Sequence, residues 1–428
     1  MRALRVEGSH QSLQFSRLSW QRLTICLLVE AVALGALSQP ATFSTLGMVP
    51  GIILTVGIGM LATQASLYLG EVCIRFPGTD HYDKVAELLG GRIAREICAV
   101  CFVLQLLLVV GSHVLTGTEL LNALSDNAVC SVAFGVVSAV ILYLLAIPPS
   151  FHDIAWLGYI DFASIIGAII VTGVGVGKEA RAAPGGLGGV QWRLWPRPET
   201  TFYEAMLSVT NIIFAYSFAV ALPSFMGELA KPHDYKKALI SLGAIEIVIY
   251  TVTGAAIYAL SGDAVQSPAL LGAGSLQKAA WGVAIPVVYI SGSINTSVAA
   301  RYAHQRAFKG TLHAVFKTSR SWIAWLLILL AMTAFAFVIA EVIPFFSALL
   351  GITSSLFVSF FSFTLPGCCW FLLRKRDGGS MLRGTNAVHL VVAVSIIVIG
   401  LFTLGAGTYA AVESIREECE CASLAPVD

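Results

Sequence analysis

Charge is scarce in this chain. Asp, Glu, Lys and Arg make up 12% of its 428 residues, against about 25% in an ordinary soluble domain. With 57% hydrophobic residues and a mean hydropathy of +0.81, most of the polypeptide has to sit in lipid. The net charge is +1, so there is no strongly basic or acidic balance, and nucleic acid is excluded as a partner. Nine cysteines are present, at 26, 73, 98, 101, 130, 368, 369, 419 and 421. They fall mostly inside apolar runs and form neither a secreted disulfide framework nor a zinc ribbon. Cys98 and Cys101 have redox spacing but no βαβ context, and there free Cys packs as a small hydrophobe. Enzymatic motifs are missing too. GVGVGKE (173–179) resembles a phosphate loop, yet it ends an apolar run and lacks the required spacing. With no GxSxG, HExxH or paired catalytic carboxylates, the chain is expected to have no catalytic residue, cofactor or metal. No repeat with a period of 20–50 residues is visible.

Apolar runs fill the space that charge leaves. Eleven approach the roughly 20 residues needed to cross a bilayer as a helix: 23–47, 49–74, 94–122, 129–147, 154–177, 204–229, 237–260, 279–300, 322–345, 347–373 and 387–412. They are continuously apolar and far longer than the roughly ten-residue alternating strands of a membrane barrel. The fold class expected is therefore an all-α polytopic membrane protein embedded in the lipid bilayer. The first run has no small-residue cleavage site after a short apolar core, and reads as a retained span. With the N-terminus inside, the inner segments hold 20 of the 26 Lys and Arg, which predicts a cytoplasmic N-terminus. Residues 1–22 and 413–428 then form short tails. The stretch TDHYDKVAELLGGR (79–92) reads as a short surface helix, capped by Thr79 or Asp80 and ended by Gly90 and Gly91.

Two of the runs carry the wrong contents for a helix interior. Span one contains LGALSQPATFS (34–44), with Gly35, Ser38, Gln39 and Pro40. Proline removes a backbone donor and clashes one turn back. Span six contains NIIFAYSFAVALPSFMGELAKP (211–232), with Tyr216, Ser217, Pro223 and Ser224. Five helices separate the two, and an odd repeat length inverts one half of the chain relative to the other. One break alone reads as a proline kink re-satisfied by Ser or Thr. Two at matched positions of inverted halves point to a transporter's binding site. A half-helix N-terminus suits a carboxylate, and free carbonyls suit an ammonium group, so a zwitterionic amino acid fits both ends. The candidate substrate-binding residues are Gly35, Leu37 and Ser38 in span one and Phe214, Tyr216, Ser217 and Phe218 in span six. The three aromatic residues would wall the side chain. No charged residue sits at either break, which predicts a neutral substrate.

These stretches resemble the amino acid/auxin permease family, most nearly its fungal neutral amino acid permeases. The matching segments are EAVALGALSQPATFSTLGMVPG (30–51), FAYSFAVALPSFMGELAKP (214–232), INTSVAARYAHQRAFKGT (294–311) and VIAEVIPFFSALLGITSSLF (338–357). The resemblance implies a LeuT-like inverted repeat of five plus five helices, with helices one and six broken and an eleventh helix added. Repeat one would cover 23–177, repeat two 204–373 and the extra helix 387–412. It also implies secondary transport of amino acids by alternating access, driven by protons rather than sodium, at the plasma or vacuolar membrane. The rival reading is a non-transporting amino acid sensor or scaffold on the same fold. The short tails count against it, since a sensor needs somewhere to dock a partner. One departure stands out: relatives tend to have Gly-His after the Ala-Tyr of span six, where Phe218 and Ala219 follow Ser217 here. That makes the pocket bulkier and less polar.

Other polar residues lie at span depth. Gln105, Ser112, Thr116 and Glu119 fall at intervals of seven, four and three, which lines one helix face. It suits a solute path or hydrogen-bond glue between helices. Ser291 and Asn295 are one turn apart, and the pair resembles the place where related folds hold a coupling cation against span one. Among intramembrane acids, which are costly and usually face protein or water, Glu30 and Asp161 are the candidate proton carriers. Glu246 and Glu341 are expected near helix ends, snorkelling or in a salt bridge. His113 and His152 are expected to be packed or interfacial.

Overall fold

In the computed structural model, residues 19–148, 157–226, 229–309, 311, 318–378 and 382–424 are described. His152 lies outside them. Every regular element among them is helical, as lipid demands of a backbone that must satisfy its own polar groups. Helix α1 comes in two pieces, α1a (Trp20–Ala31) and α1b (Leu34–Leu46). Then follow α2 (Met48–Arg75), α3 (Tyr82–Ser125), α4 (Ser131–Ala146) and α5 (Leu157–Ala182). Helix α6 is also in two pieces, α6a (Phe202–Ala215) and the single turn α6b (Leu222–Met226). The rest are α7 (Tyr235–Ser261), α8 (Gln277–Ala307), α9 (Ser319–Val342) and α10 (Phe346–Asp377). The last, α11, starts at Thr385 and runs through a π turn at Thr403–Gly407 into Thr408–Leu424.

Among the described residues eight helices are long and apolar enough to cross a membrane singly, and the bent pair α1a–α1b passes the same test when its two pieces are taken together. The short α4 and the interrupted α6 stand where the remaining two of the eleven spans were expected. Helix α4 has 16 residues and rises about 24 Å, so its flanking residues must make up the rest of the hydrocarbon depth. The outer faces are apolar. On α11, Val388, Val391, Val398 and Phe402 are all more than half exposed, a stripe that only lipid or another apolar surface would cover.

Ion pairs sort the helix ends into two groups, as the alternation of spans requires. Arg75 pairs with Glu71 and Asp377, Lys236 with Glu71, and Arg306 with Asp83 and Glu96. These residues mark the basic face. On the opposite face Lys278 pairs with Asp126, and Arg193 and Arg197 pair with Asp263. Between the faces, α8 packs against α3, α4, α5 and α9, while α1b lies against α6a and α7.

Three expectations change. The stretch 79–92 does form a short helix broken at Gly90 and Gly91, at φ −135° and +68°, and residues 87–92 are exposed. But Tyr82, Val85 and Ala86 bury its other face, and the N-cap is His81 rather than Thr79 or Asp80. GVGVGKE lies within α5, which continues to Ala182. Helix α11 runs on to Leu424, beyond the end expected at 412.

Candidate functional site at two helix breaks

Span one breaks at Val32 and Ala33, not within Gly35–Pro40. Val32 has ψ 52° and Ala33 has φ −108°, ψ −106°, and the two pieces are bent by 61°. Pro40 sits inside α1b, which continues through it. Ser38 Oγ and Gln39 Nε2 both donate to the Gly35 carbonyl, at 2.9 and 3.1 Å, and support the turn that proline weakens. Val32 and Ala33 are ordinary helix residues, so tertiary contacts place the break. Gly35 lies flat on α6a, where a Cβ would come within 2.7 Å of the Ala215 Cα. In span six, Tyr216 leaves the helix at φ −95°, ψ 36°, and a 3-10 turn over Ser217–Val220 follows.

One hydroxyl ties the two breaks together. Tyr250 of α7 is fully buried, and its hydroxyl lies 3.1 Å from the Ala31 carbonyl and 2.9 Å from the Ala215 carbonyl. Ala31 and Ala215 are the last residues of α1a and α6a, whose end carbonyls have no intrahelical partner. A hydroxyl has one proton to donate, so the two acceptors share it. Tyr216 packs edge-on to Tyr250 with ring centres 5.2 Å apart and donates to the Thr55 carbonyl at 2.9 Å. Sequence reasoning missed Tyr250, because one tyrosine in an apolar helix carries no signal of its partners. Removing its hydroxyl leaves a buried carbonyl short of a donor, which costs about 1–3 kcal/mol. Tyr250→Phe is therefore expected to lower the melting temperature. Melting equal to wild type would show that the tie does not hold the breaks.

Where the breaks meet lies a cavity of about 30 Å³, room for a water molecule or two. Ala31, Ala33 and Leu34 line it from span one, and Phe214, Ser217 and Val220 from span six. Gln105 and His113 of α3 and Asn295 of α8 complete its polar wall. Gln105 Oε1 and His113 Nδ1 are buried without a hydrogen-bond partner among the described residues. Asn295 donates to the Ser291 carbonyl at 3.1 Å. His113 thus lines the cavity as well as packing, beyond what was expected of it.

Of the seven substrate-binding candidates, Phe214 and Ser217 face this cavity. Gly35, Leu37, Ser38, Tyr216 and Phe218 are buried around it without lining it. Among the coupling candidates, Asn295 lines the cavity, and Ser291 Oγ lies 3.5 Å from the Val29 carbonyl of α1a. Asp161 is fully buried on α5, one turn beyond Gly158, which faces Val29. Glu30 belongs to α1a, but its side chain lies outside what is described. Glu246 departs from expectation: it is fully buried midway along α7, with neither oxygen bonded among the described residues. Glu341 is at the end of α9, as expected.

Hydrogen bonds cross between elements on both sides of the cavity. Toward the basic face, the Tyr82 hydroxyl donates to the carbonyls of Ala219 and Phe361, at 2.8 and 2.9 Å. Ser224 Oγ, on α6b, lies 3.3 Å from His81 Nδ1. On the opposite side the loop after α5 crosses the hairpin of α1b and α2. Met48 N donates to Arg193 O at 2.9 Å and Val49 N to Leu194 O at 3.0 Å. Gly47, at φ +81°, permits this crossing, since a Cβ there would meet the Trp195 backbone at 2.5 Å.

The family of transmembrane amino acid transporter proteins matches residues 16–413. The N amino acid transport system protein of Neurospora crassa is 47% identical over 414 residues, covering 96% of this chain and 88% of that one. A transmembrane transporter of Gibberella moniliformis is 29% identical, over 97% of this chain and 88% of its own. Among solved structures, Mhp1 is a nucleobase-cation-symport-1 family transporter, seen in a closed conformation with bromovinylhydantoin bound. It superposes with a TM-score of 0.54 at 14% identity, covering 96% of this chain and 94% of that one. The likeness establishes a LeuT-like fold.

Proposed function

The chain belongs to the transmembrane amino acid transporter family, and from that premise we propose that it is a proton-driven secondary active carrier of neutral amino acids. It works by alternating access. One observation carries the reading: two helix breaks meet at a small polar-walled cavity. The substrate carboxylate would take the first N–H groups of α1b, where the helix dipole is positive. Its ammonium group would take the carbonyl end of α6a together with Gln105 Oε1. The predicted set Gly35, Leu37, Ser38, Phe214, Tyr216, Ser217 and Phe218 would shape the site, five of them by packing behind the cavity wall. No Asp, Glu, Lys or Arg is among the described lining residues, and a charged side chain buried there without a partner would be costly. Phe214 and Val220 offer it an apolar wall.

Glu30 and Asp161 are the candidates for the coupling proton that the sequence offers, and Ser291 with Asn295 is the place for a cation if sodium replaces it. The basic face would be cytoplasmic, in a plasma or vacuolar membrane. Residues 23–177 and 204–373 would be the two inverted repeats. Purified protein in liposomes preloaded with a neutral amino acid is expected to take up labelled substrate by counterflow, and neutral amino acids should compete. Uptake of arginine or glutamate without neutral competition would overturn the specificity. No counterflow with any amino acid would favour the sensor reading.

A further inference from the structure

Glu246 is the buried acid that this reading leaves unused. It sits midway along α7, fully buried, with neither oxygen bonded among the described residues. Tyr250, one helical turn on, shares its face of α7, and both Tyr250 and Tyr216 are near enough to interact with it electrostatically. Tyr250 is the side chain that holds the ends of α1a and α6a, so the acid stands directly behind the tie between the breaks. Helices α1a, α1b, α2 and α5 pack against α7. Their titratable residues are Arg22, Cys26 and Glu30 on α1a, Tyr159 and Asp161 on α5 with Lys178, Glu179 and Arg181 at its far end, and Tyr68, Glu71, Cys73 and Arg75 at the basic end of α2, with none on α1b. No ion pair joins Glu246 to any described residue.

An ionised carboxylate with both oxygens unbonded is expensive in such a place, whereas the neutral acid is not. Burial of this kind therefore favours the acid form. Ionisation requires α7 to loosen from α1a and α6a, far enough to admit water or a donor. Those are the contacts that any opening of the breaks must disturb. Closure and proton binding are thus linked, and linkage is reciprocal.

We propose that Glu246 is the proton-carrying site of the carrier, binding a proton as the two breaks close and releasing it when they open on the other face. The proton comes from solution on one side, converts carboxylate to carboxylic acid, and returns to solution on the other. The proposal rests on the proton-coupled reading above and assigns it to a residue other than Glu30 or Asp161.

The test uses the full chain in liposomes. Wild type should first accumulate a neutral amino acid against an inward proton gradient, up to about tenfold per pH unit for one proton per substrate. Accumulation driven by sodium alone would end the coupling reading itself, and this proposal with it. Given proton-driven accumulation, Glu246→Gln should exchange substrate within about twofold of wild type, because the amide keeps the volume, yet accumulate none. Gradient-driven accumulation equal to wild type would overturn the assignment. Should Glu246→Gln lose exchange as well, Glu246→Asp decides. An acid that titrates predicts accumulation retained, whereas a packing role predicts that Asp also loses it.

Discussion

Glu, Lys or any other large residue aside, even leucine at Gly35 is expected to abolish uptake and to destabilise the purified carrier together. The Cβ it adds would lie 2.7 Å from the Ala215 Cα and 2.9 Å from its Cβ. Both atoms belong to the end of α6a, which cannot turn aside as a flexible side chain would. Overpacking by a methylene or two costs about 1–3 kcal/mol, and a leucine exceeds that. Helices α1b and α6a must then part, and the two breaks no longer face one another. Gly57→Ala is the control. Nothing lies within 4 Å of the Cβ it adds, and alanine in a helix interior is favoured over glycine by about 1 kcal/mol. Melting curves and uptake for the two variants should diverge in opposite directions. Normal uptake by Gly35→Leu would mean that the two spans do not touch in the working carrier.

The second large effect is expected at Ser217, where leucine should reduce uptake to background while folding persists. Ser217 is half-buried on the 3-10 turn of span six and faces the cavity of about 30 Å³. That volume accepts a water or two, and a leucine side chain would fill it. Its neighbours on the turn keep their places, so the melting temperature should change little. Ser38→Leu should fail differently. Ser38 is fully buried, bonded to the Gly35 carbonyl and off the cavity wall, so leucine there should lower stability along with transport. Normal transport by Ser217→Leu would show that the substrate passes elsewhere.

Which parts of this were legible in the sequence follows from the kind of force involved. Span lengths come from hydrocarbon thickness, a local property, and the apolar runs revealed them. The break in span six was visible because hydroxyls and Pro223 fall beside it. The break in span one was misplaced by several residues. Pro40 is tolerated inside α1b, and the true break, at Val32 and Ala33, depends on Tyr250 and Ala215, both more than 180 positions away. Tyr82 was read as part of a surface helix for a similar reason, since its acceptors, Ala219 and Phe361, lie in other spans. Gln105 was legible as one of a line of polar residues on α3. Glu246 was not, because a hydropathy pattern does not reveal which acids near a helix middle lack a partner.

Both faces of the molecule are fastened by ion pairs together with hydrogen bonds, and ionic strength acts mainly on the first of these. On the basic face the ties include Arg75 with Asp377 and Arg306 with Asp83 and Glu96, pairs that remain partly open to solvent. Arg75, bonded to the Asp377 carboxyl, holds it below the usual carboxylate range. Its contribution to the clasp is therefore present at neutral pH and lost only as pH falls through that lowered value. Mild acid leaves the pair charged. Salt does not spare it, because charges near the surface are screened over about 8 Å at physiological ionic strength and over less in stronger salt. On the opposite face the loop is held by backbone hydrogen bonds across Gly47–Val49, which screening barely touches, and also by the partly exposed pairs of Arg193 and Arg197 with Asp263. Raising salt on either side of a vesicle would thus weaken the ion pairs of that face and leave its hydrogen bonds in place.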